Sequence, residues 1–108
     1  MKKENEIIIL PHLATKHPSL PNLLREIMYE LIDAEKKFPD FPSNKTIGAA
    51  IVCEEAGELI KACLEFENEN KDGKIKGRTE AEYKDIIREE AIQTAAMAMR
   101  FLLNFNLE

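Results

Sequence analysis

The sequence predicts an all-α fold, a helical bundle of three to four helices per chain that is completed by oligomerisation. Apolar residues recur at helical spacing in three long segments, and polar stretches that contain proline or glycine separate these segments. The 108 residues, 44% of them hydrophobic, can form the core of one domain but not of two. We therefore expect residues 1–108 to form a single domain with residues 1–18 as an N-terminal arm.

The arm and the first two long helices follow from proline positions and from the apolar period. The run Ile7–Leu10 ends at Pro11, and no helical period follows it before residue 19, so an arm or a short strand is expected. The first long helix should begin near Ser19 and end before Pro39. The second should begin within residues 43–46 and run to about residue 70, where a polar connector begins.

The third long helix is expected to begin after Thr79, because Thr79 and Glu82 have the spacing of a capping box, and to reach about Phe105. Residues 91–103 of this helix are apolar on nearly every face. Such a helix must be surrounded by other helices, and two long partners in one chain are too few to cover it. A homodimer or homotetramer is therefore expected.

Composition limits the class of partner. Fifteen Lys and Arg against twenty Asp and Glu leave a net charge of −5, which disfavours a nucleic acid polymer or an anionic membrane as partner. The apolar runs are too short for a transmembrane helix or a signal peptide, so we expect a cytoplasmic protein that does not bind a membrane. Cys53 and Cys63 lie ten residues apart on one predicted helix and are expected to be reduced packing residues.

Acidic residues occupy helix positions that should face the core. Winding at about 100° per residue places Glu55 inside an apolar stripe, with Glu58 and Glu54 along one edge of it. The same winding places Glu90 of the third helix among apolar residues, with Gln93 one turn later. Because burial of unpaired carboxylates is costly, Mg²⁺, or Mn²⁺ in its place, is the expected compensation.

These acids have two alternative interpretations. A solvated acidic face that pairs with Lys61 fits the spacing about as well as a metal site does, although the apolar flanks of Glu55 and Glu90 favour the metal site. A di-iron bundle needs Glu-x-x-His pairs on two helices, whereas His12 and His17 both precede the first long helix. The di-iron alternative is therefore disfavoured.

The residues around these acids resemble the MazG-like all-α nucleoside triphosphate pyrophosphohydrolases, a superfamily that includes dimeric dUTPases and phosphoribosyl-ATP pyrophosphohydrolase. The resemblance covers about residues 24–105 and includes Lys37-Phe38. Its main motifs are Glu54-Glu55-Ala56-Gly57-Glu58-Leu59 and Glu89-Glu90-Ala91-Ile92-Gln93. The family carries Glu-Glu-x-x-Glu on one helix and Glu-x-x-Asp on the next, so only the first motif matches in full.

The resemblance implies a Mg²⁺-dependent enzyme that cleaves a nucleoside triphosphate between its α and β phosphates, giving a monophosphate and pyrophosphate. Glu55, Glu58 and Glu90 would be metal ligands, and Glu54 would orient the attacking water or assist a further ion. Gln93 stands where the family has Asp, and its uncharged amide oxygen should bind the metal more weakly. The alternative is a non-catalytic helical oligomer, or a nucleotide-binding module, with a degenerate metal site.

Three cations are candidate contacts for the substrate phosphates. Lys37 and Lys61 would lie at the rim of the acid site, although a solvated lysine is the simpler interpretation of each. Arg100 interrupts the apolar stretch of the third helix and is expected either to reach a phosphate or to pair with Glu89. Phe38 is expected to pack rather than to stack on a nucleobase.

Overall fold

The computed structural model describes residues 11–71 and 78–105 of the chain, with side chains as far as residue 69 in the first range. Helix α1 covers residues 11–16, and three longer helices follow, α2 (Leu20–Lys37), α3 (Lys45–Lys71) and α4 (Glu80–Asn104). The described ranges contain no strand, and the all-α prediction is confirmed. The predicted strand or arm at Ile7–Leu10 and most of the polar connector lie outside the described residues.

The helix ends agree with the sequence predictions to within two residues, because local signals set them. The Asn44 carboxamide oxygen accepts a hydrogen bond from the Ile47 amide at 3.0 Å at the start of α3. The Thr79 hydroxyl accepts one from the Glu82 amide at 3.1 Å at the start of α4, as the capping-box pattern predicts. Helix α2 ends one residue before Phe38, which precedes a proline.

Residues 11–16 differ from the prediction, since they form a helical turn where an arm without helical period was expected. The Thr15 hydroxyl donates to the Pro11 carbonyl at 2.9 Å, and the His17 amide donates to the Leu13 carbonyl at 2.8 Å. Leu13 remains 41% exposed. Local hydrogen bonds therefore form this turn without a buried apolar face.

Helix α4 lies between the other two long helices. It packs on both α3 and α2, whereas the described residues of α2 and α3 have no Cα atoms within 8 Å of each other. The rings of Phe66 and Tyr83 pack with their centroids 5.9 Å apart at one end of the α3–α4 pair. At the other end Gly48 lies against Phe101, so these two helices are antiparallel.

Gly48 shows how closely the chain packs at that end. A β-carbon at this position would lie 2.9 Å from the Phe41 ring, closer than real β-carbons come to other atoms, and 3.1 Å from the Phe101 ring, which is also a tight contact. Arg100, which is 2% exposed, extends over the Phe41 ring at 5.2 Å and donates to the Phe38 carbonyl. These contacts hold the segment after α2 against α4.

The apolar core of the single chain is small. Leu31, Ala62, Tyr83 and Ala96 are the buried hydrophobic side chains of the described ranges. Eleven large hydrophobic side chains are each 41% exposed or more. If other chains complete the bundle, as the sequence predicts, these exposed side chains are the surface that they would cover. Within residues 11–71 and 78–105, no helix has both the length and the hydropathy that a bilayer crossing requires.

Candidate metal centre

Three glutamates from two helices converge at the α3–α4 contact. Glu55 and Glu58 lie one turn apart on α3, and Glu90 reaches them from α4. One carboxylate oxygen from each residue lies within 4.8 Å of the other two. The i, i+3 spacing predicted that the two α3 acids share an edge, and the antiparallel packing of the helices supplies the third.

Two of the three carboxylates are partly withdrawn from water. Glu55 and Glu90 are half-buried, whereas Glu58 is exposed. The Oε2 atoms of Glu55 and Glu90 are shielded from solvent, and neither has a hydrogen-bond partner among the described residues. A shielded carboxylate oxygen without a donor is costly, so this arrangement favours a proton or a cation between the two helices.

The electrostatics of the cluster are unfavourable for three bare carboxylates. Burial raises the pKa of Glu55 above its ordinary value, and the negative charges of Glu58 and Glu90 raise it further. Burial is also the main cause that raises the pKa of Glu90, followed by the negative charge of Glu58. A bound divalent cation would reverse both effects, because its charge favours the ionised carboxylates.

A cavity of about 190 Å³ lies beside Glu55, where the end of α2 approaches α4. Gln93 lines this cavity together with Glu55, so the amide and the carboxylate share one space. Lys37 lines it from α2 and forms an ion pair with Asp33 at 2.9 Å. Phe38 also lines it and is 66% exposed in the single chain, so its ring is not part of the core of this chain.

A second, more open cavity of about 370 Å³ lies beside Glu58 and Glu90. Lys61 and Arg78 both line it, which places two cations near the acid cluster. Arg78 belongs to the polar connector that the sequence predicts before α4. The run of basic residues before α4 was the signal for a cation here, but sequence alone does not show that the loop ends beside Glu58.

Two predicted site residues, Glu54 and Arg100, lie outside the group of three converging glutamates. Glu54 is exposed and does not belong to the converging group, although its charge contributes to the raised pKa of Glu55. Arg100 does not pair with Glu89 as expected: its guanidinium donates to the Phe38 carbonyl and reaches the Glu35 carboxylate at 3.5 Å. In the single chain this buried cation joins α4 to the end of α2.

The chain was also compared with protein-family models, with curated proteins and with solved structures, and none of the three comparisons found a match. The resemblance to the MazG-like enzymes therefore depends on the motif residues alone. The acid cluster has to be interpreted from its own geometry and chemistry.

Proposed function

We propose that this chain is a Mg²⁺-dependent nucleoside triphosphate pyrophosphohydrolase, which cleaves ribo- or deoxynucleoside triphosphates between the α and β phosphates to a monophosphate and pyrophosphate. The observation that carries the proposal is the pair of shielded, unpartnered oxygens on Glu55 and Glu90 beside the Glu58 carboxylate. Exposed acidic groups often cluster without an ion, so the burial rather than the clustering supports a metal. The MazG-like motifs support the reaction type.

The donor set suits a hard divalent cation. Glu55, Glu58 and Glu90 would hold it through carboxylate oxygens, which Mg²⁺ and Mn²⁺ prefer. Gln93 would add a neutral oxygen from the cavity beside Glu55. When bound, the ion would polarise a phosphate and lower the pKa of the attacking water. The burial of two of the ligands also limits the water that competes for the ion.

The neighbouring side chains have roles that follow from their positions. Glu54, exposed and next to Glu55 in the chain, would orient the attacking water. Lys37 and Lys61 line the cavities on either side of the cluster and would neutralise charge on the triphosphate and on the departing pyrophosphate. Arg78 lines the same cavity as Lys61 and would assist it.

The proposal includes a homo-oligomer, a dimer or a tetramer, that acts on the cytoplasmic nucleotide pool. The small core of the single chain and its exposed apolar side chains support an assembly of several copies. The negative net charge of −5 supports a free nucleotide as substrate rather than a nucleic acid polymer.

The test is the release of pyrophosphate and of orthophosphate from a panel of nucleoside triphosphates with Mg²⁺ and with Mn²⁺. We expect pyrophosphate and monophosphate in equal amounts, and loss of both products in Glu55→Gln and in Glu58→Gln. Glu67→Gln is the matched control, because Glu67 is an exposed glutamate of α3 outside the cluster. Release of orthophosphate without pyrophosphate would contradict cleavage between the α and β phosphates.

The second candidate is the non-catalytic oligomer or nucleotide-binding module with a degenerate metal site. The observation that favours it is the uncharged Gln93 in the cavity where the family motif has Asp. This candidate predicts no turnover of any nucleotide by the unmodified chain. Activity that appears only in Gln93→Asp would identify a site that has lost one ligand charge.

A further inference from the structure

Helix α3 has two apolar faces, and only one of them is covered. The covered face contains Gly48 and Ala62, both buried against the rest of the chain. The opposite face carries a strip of six uncharged residues, all of which are exposed. We call this the outer strip, and it consists of Thr46, Ala50, Cys53, Gly57, Ile60 and Leu64.

The outer strip has the spacing of a helix-pairing seam. Its six positions alternate steps of four and three residues, the pattern of the apolar positions in a two-helix coiled coil. At 1.5 Å per residue the strip is about 27 Å long. Ile60 and Leu64 on it are 59% and 52% exposed. Helix α4 packs on the covered face of α3, and all six residues of the outer strip are exposed, so no described helix of the same chain covers the strip.

Side-chain sizes along the outer strip are self-complementary. The small residues lie in its N-terminal half and the large ones at its C-terminal end. If two copies pair antiparallel about a twofold axis near position 55, Ile60 of each copy faces Ala50 of the other, and Leu64 faces Thr46. Every large side chain then meets a smaller one, as close packing requires.

The middle of the outer strip fits the same arrangement. Antiparallel pairing places Cys53 of one copy opposite Gly57 of the other, and a β-carbon added at Gly57 would meet nothing within 4 Å in the single chain. The space in front of Gly57 is therefore open to a side chain from outside. Parallel pairing would instead set Gly57 against Gly57 and Ile60 against Ile60, which leaves one layer empty and the next crowded.

We propose that the outer strip is the interface through which two copies of this chain pair in an antiparallel manner, with Cys53 of each opposite Gly57 of the other. The proposal does not depend on the reaction proposed above, because it concerns the face of α3 opposite Glu55. The acid cluster stays accessible in the pair, and the second copy supplies the missing cover for this side of the helix.

The first test is the association state of the full chain by sedimentation equilibrium. We expect a dimer or a larger even-numbered assembly, and a dissociation constant raised at least about 100-fold in Ile60→Glu, because pairing would bury the new charge. Ile47→Glu is the matched control. Ile47 is an exposed isoleucine of α3 at 54%, about 100° around the helix from the outer strip, and its dissociation constant should stay unchanged.

The second test distinguishes pairing from loss of folding and determines the direction of pairing. One chain keeps Cys53 alone through Cys63→Ser, and a second chain carries Cys53→Ser, Cys63→Ser and Gly57→Cys. Under mild oxidation an antiparallel pair gives covalent dimers mainly in the mixture of the two chains. Both chains should keep the helical circular dichroism of the unmodified protein.

Other outcomes would overturn the proposal. Covalent dimers that form mainly within each separate sample would show parallel pairing. A monomer in sedimentation, or a dimer that Ile60→Glu leaves intact, would show that something other than a second copy covers the outer strip. Gly57→Leu adds a check that introduces no charge, since its side chain enters open space in the single chain but would collide with the second copy in the pair.

Discussion

Glu55 of α3 and Glu90 of α4 each bring a shielded carboxylate oxygen without a hydrogen-bond partner to the same three-glutamate cluster. The two residues belong to different helices, so their repulsion acts directly across the α3–α4 contact. Whatever neutralises them, a proton or a cation, also stabilises the packing of these helices. Metal binding, protonation and the free energy of unfolding are therefore coupled at this site.

Mg²⁺ or Mn²⁺ should raise the midpoint of thermal unfolding of the unmodified chain. A ligand present at about 100 times its dissociation constant stabilises the folded state by about 2.7 kcal/mol, which corresponds to a shift of several degrees in a domain of this size. Differential scanning calorimetry at one protein concentration measures the shift. Glu55→Gln should lose most of it and Glu67→Gln should keep it; equal shifts in the two variants would argue against the cluster as the metal site.

Without divalent ions, the raised pKa values of Glu55 and Glu90 predict that stability falls as pH rises. The folded chain binds more protons than the unfolded chain between the ordinary pKa of 4.5 and the raised values, so this stabilisation is complete below 4.5 and is lost above the raised values. Each unit by which a pKa is raised is worth about 1.4 kcal/mol.

Urea unfolding in a chelator from pH 4.5 upward tests this dependence. The comparison is between the unmodified chain and Glu55→Gln, since other titrating groups are common to both. Glu55→Gln should be the more stable chain at neutral pH and should lose this advantage toward pH 4.5. A difference between the two chains that does not change with pH would contradict the raised pKa.

Arg100→Met should destabilise the chain by about 2 kcal/mol or more. Arg100 is buried and its guanidinium satisfies the Phe38 carbonyl, so removal leaves a backbone acceptor without its donor at the α2–α4 contact. Arg88→Met is the matched control, because Arg88 pairs with Glu26 at the exposed surface of the same two helices and should cost no more than about 1 kcal/mol. If urea unfolding shows the same loss in the free energy of unfolding for both variants, the burial of Arg100 does not add to the stability of the chain.

Gly48→Ala should destabilise the chain by about 1 kcal/mol, because the strain of pushing the new methyl group against the rings of Phe41 and Phe101, about 2 kcal/mol, outweighs the helix preference of alanine, about 1 kcal/mol. Gly57→Ala on the same helix gives the comparison, measured in the Ile60→Glu background so that pairing of copies does not contribute. The added methyl meets nothing there, and alanine favours the helix by up to about 1 kcal/mol. Urea unfolding should show opposite signs for the two substitutions, and a shared sign would contradict the packing at Gly48.

The helices and the convergence of the acids were predictable because both follow from local regularities. Caps and prolines set the ends of the helices, and the winding of α3 alone places Glu55 and Glu58 together. The partner of Arg100 was not predictable, since Glu35 is 65 residues away in sequence and only the packing of α2 on α4 brings them together. The exposure of Cys53 was missed for a related reason, because winding identifies an apolar face but not what covers it.

Gln93→Asp should strengthen metal binding, and Gln93→Asn provides a control of the same shape without the charge. Gln93 lines the cavity beside Glu55, so a carboxylate there adds a fourth negative charge to the site. Calorimetric titration with Mn²⁺ should show an affinity at least about tenfold higher for the Asp variant than for the Asn variant. In a chelator Gln93→Asp should be less stable than Gln93→Asn, because without a metal the extra charge adds only repulsion toward Glu55 and Glu90. Equal affinities in the two variants would place position 93 outside the coordination of the ion.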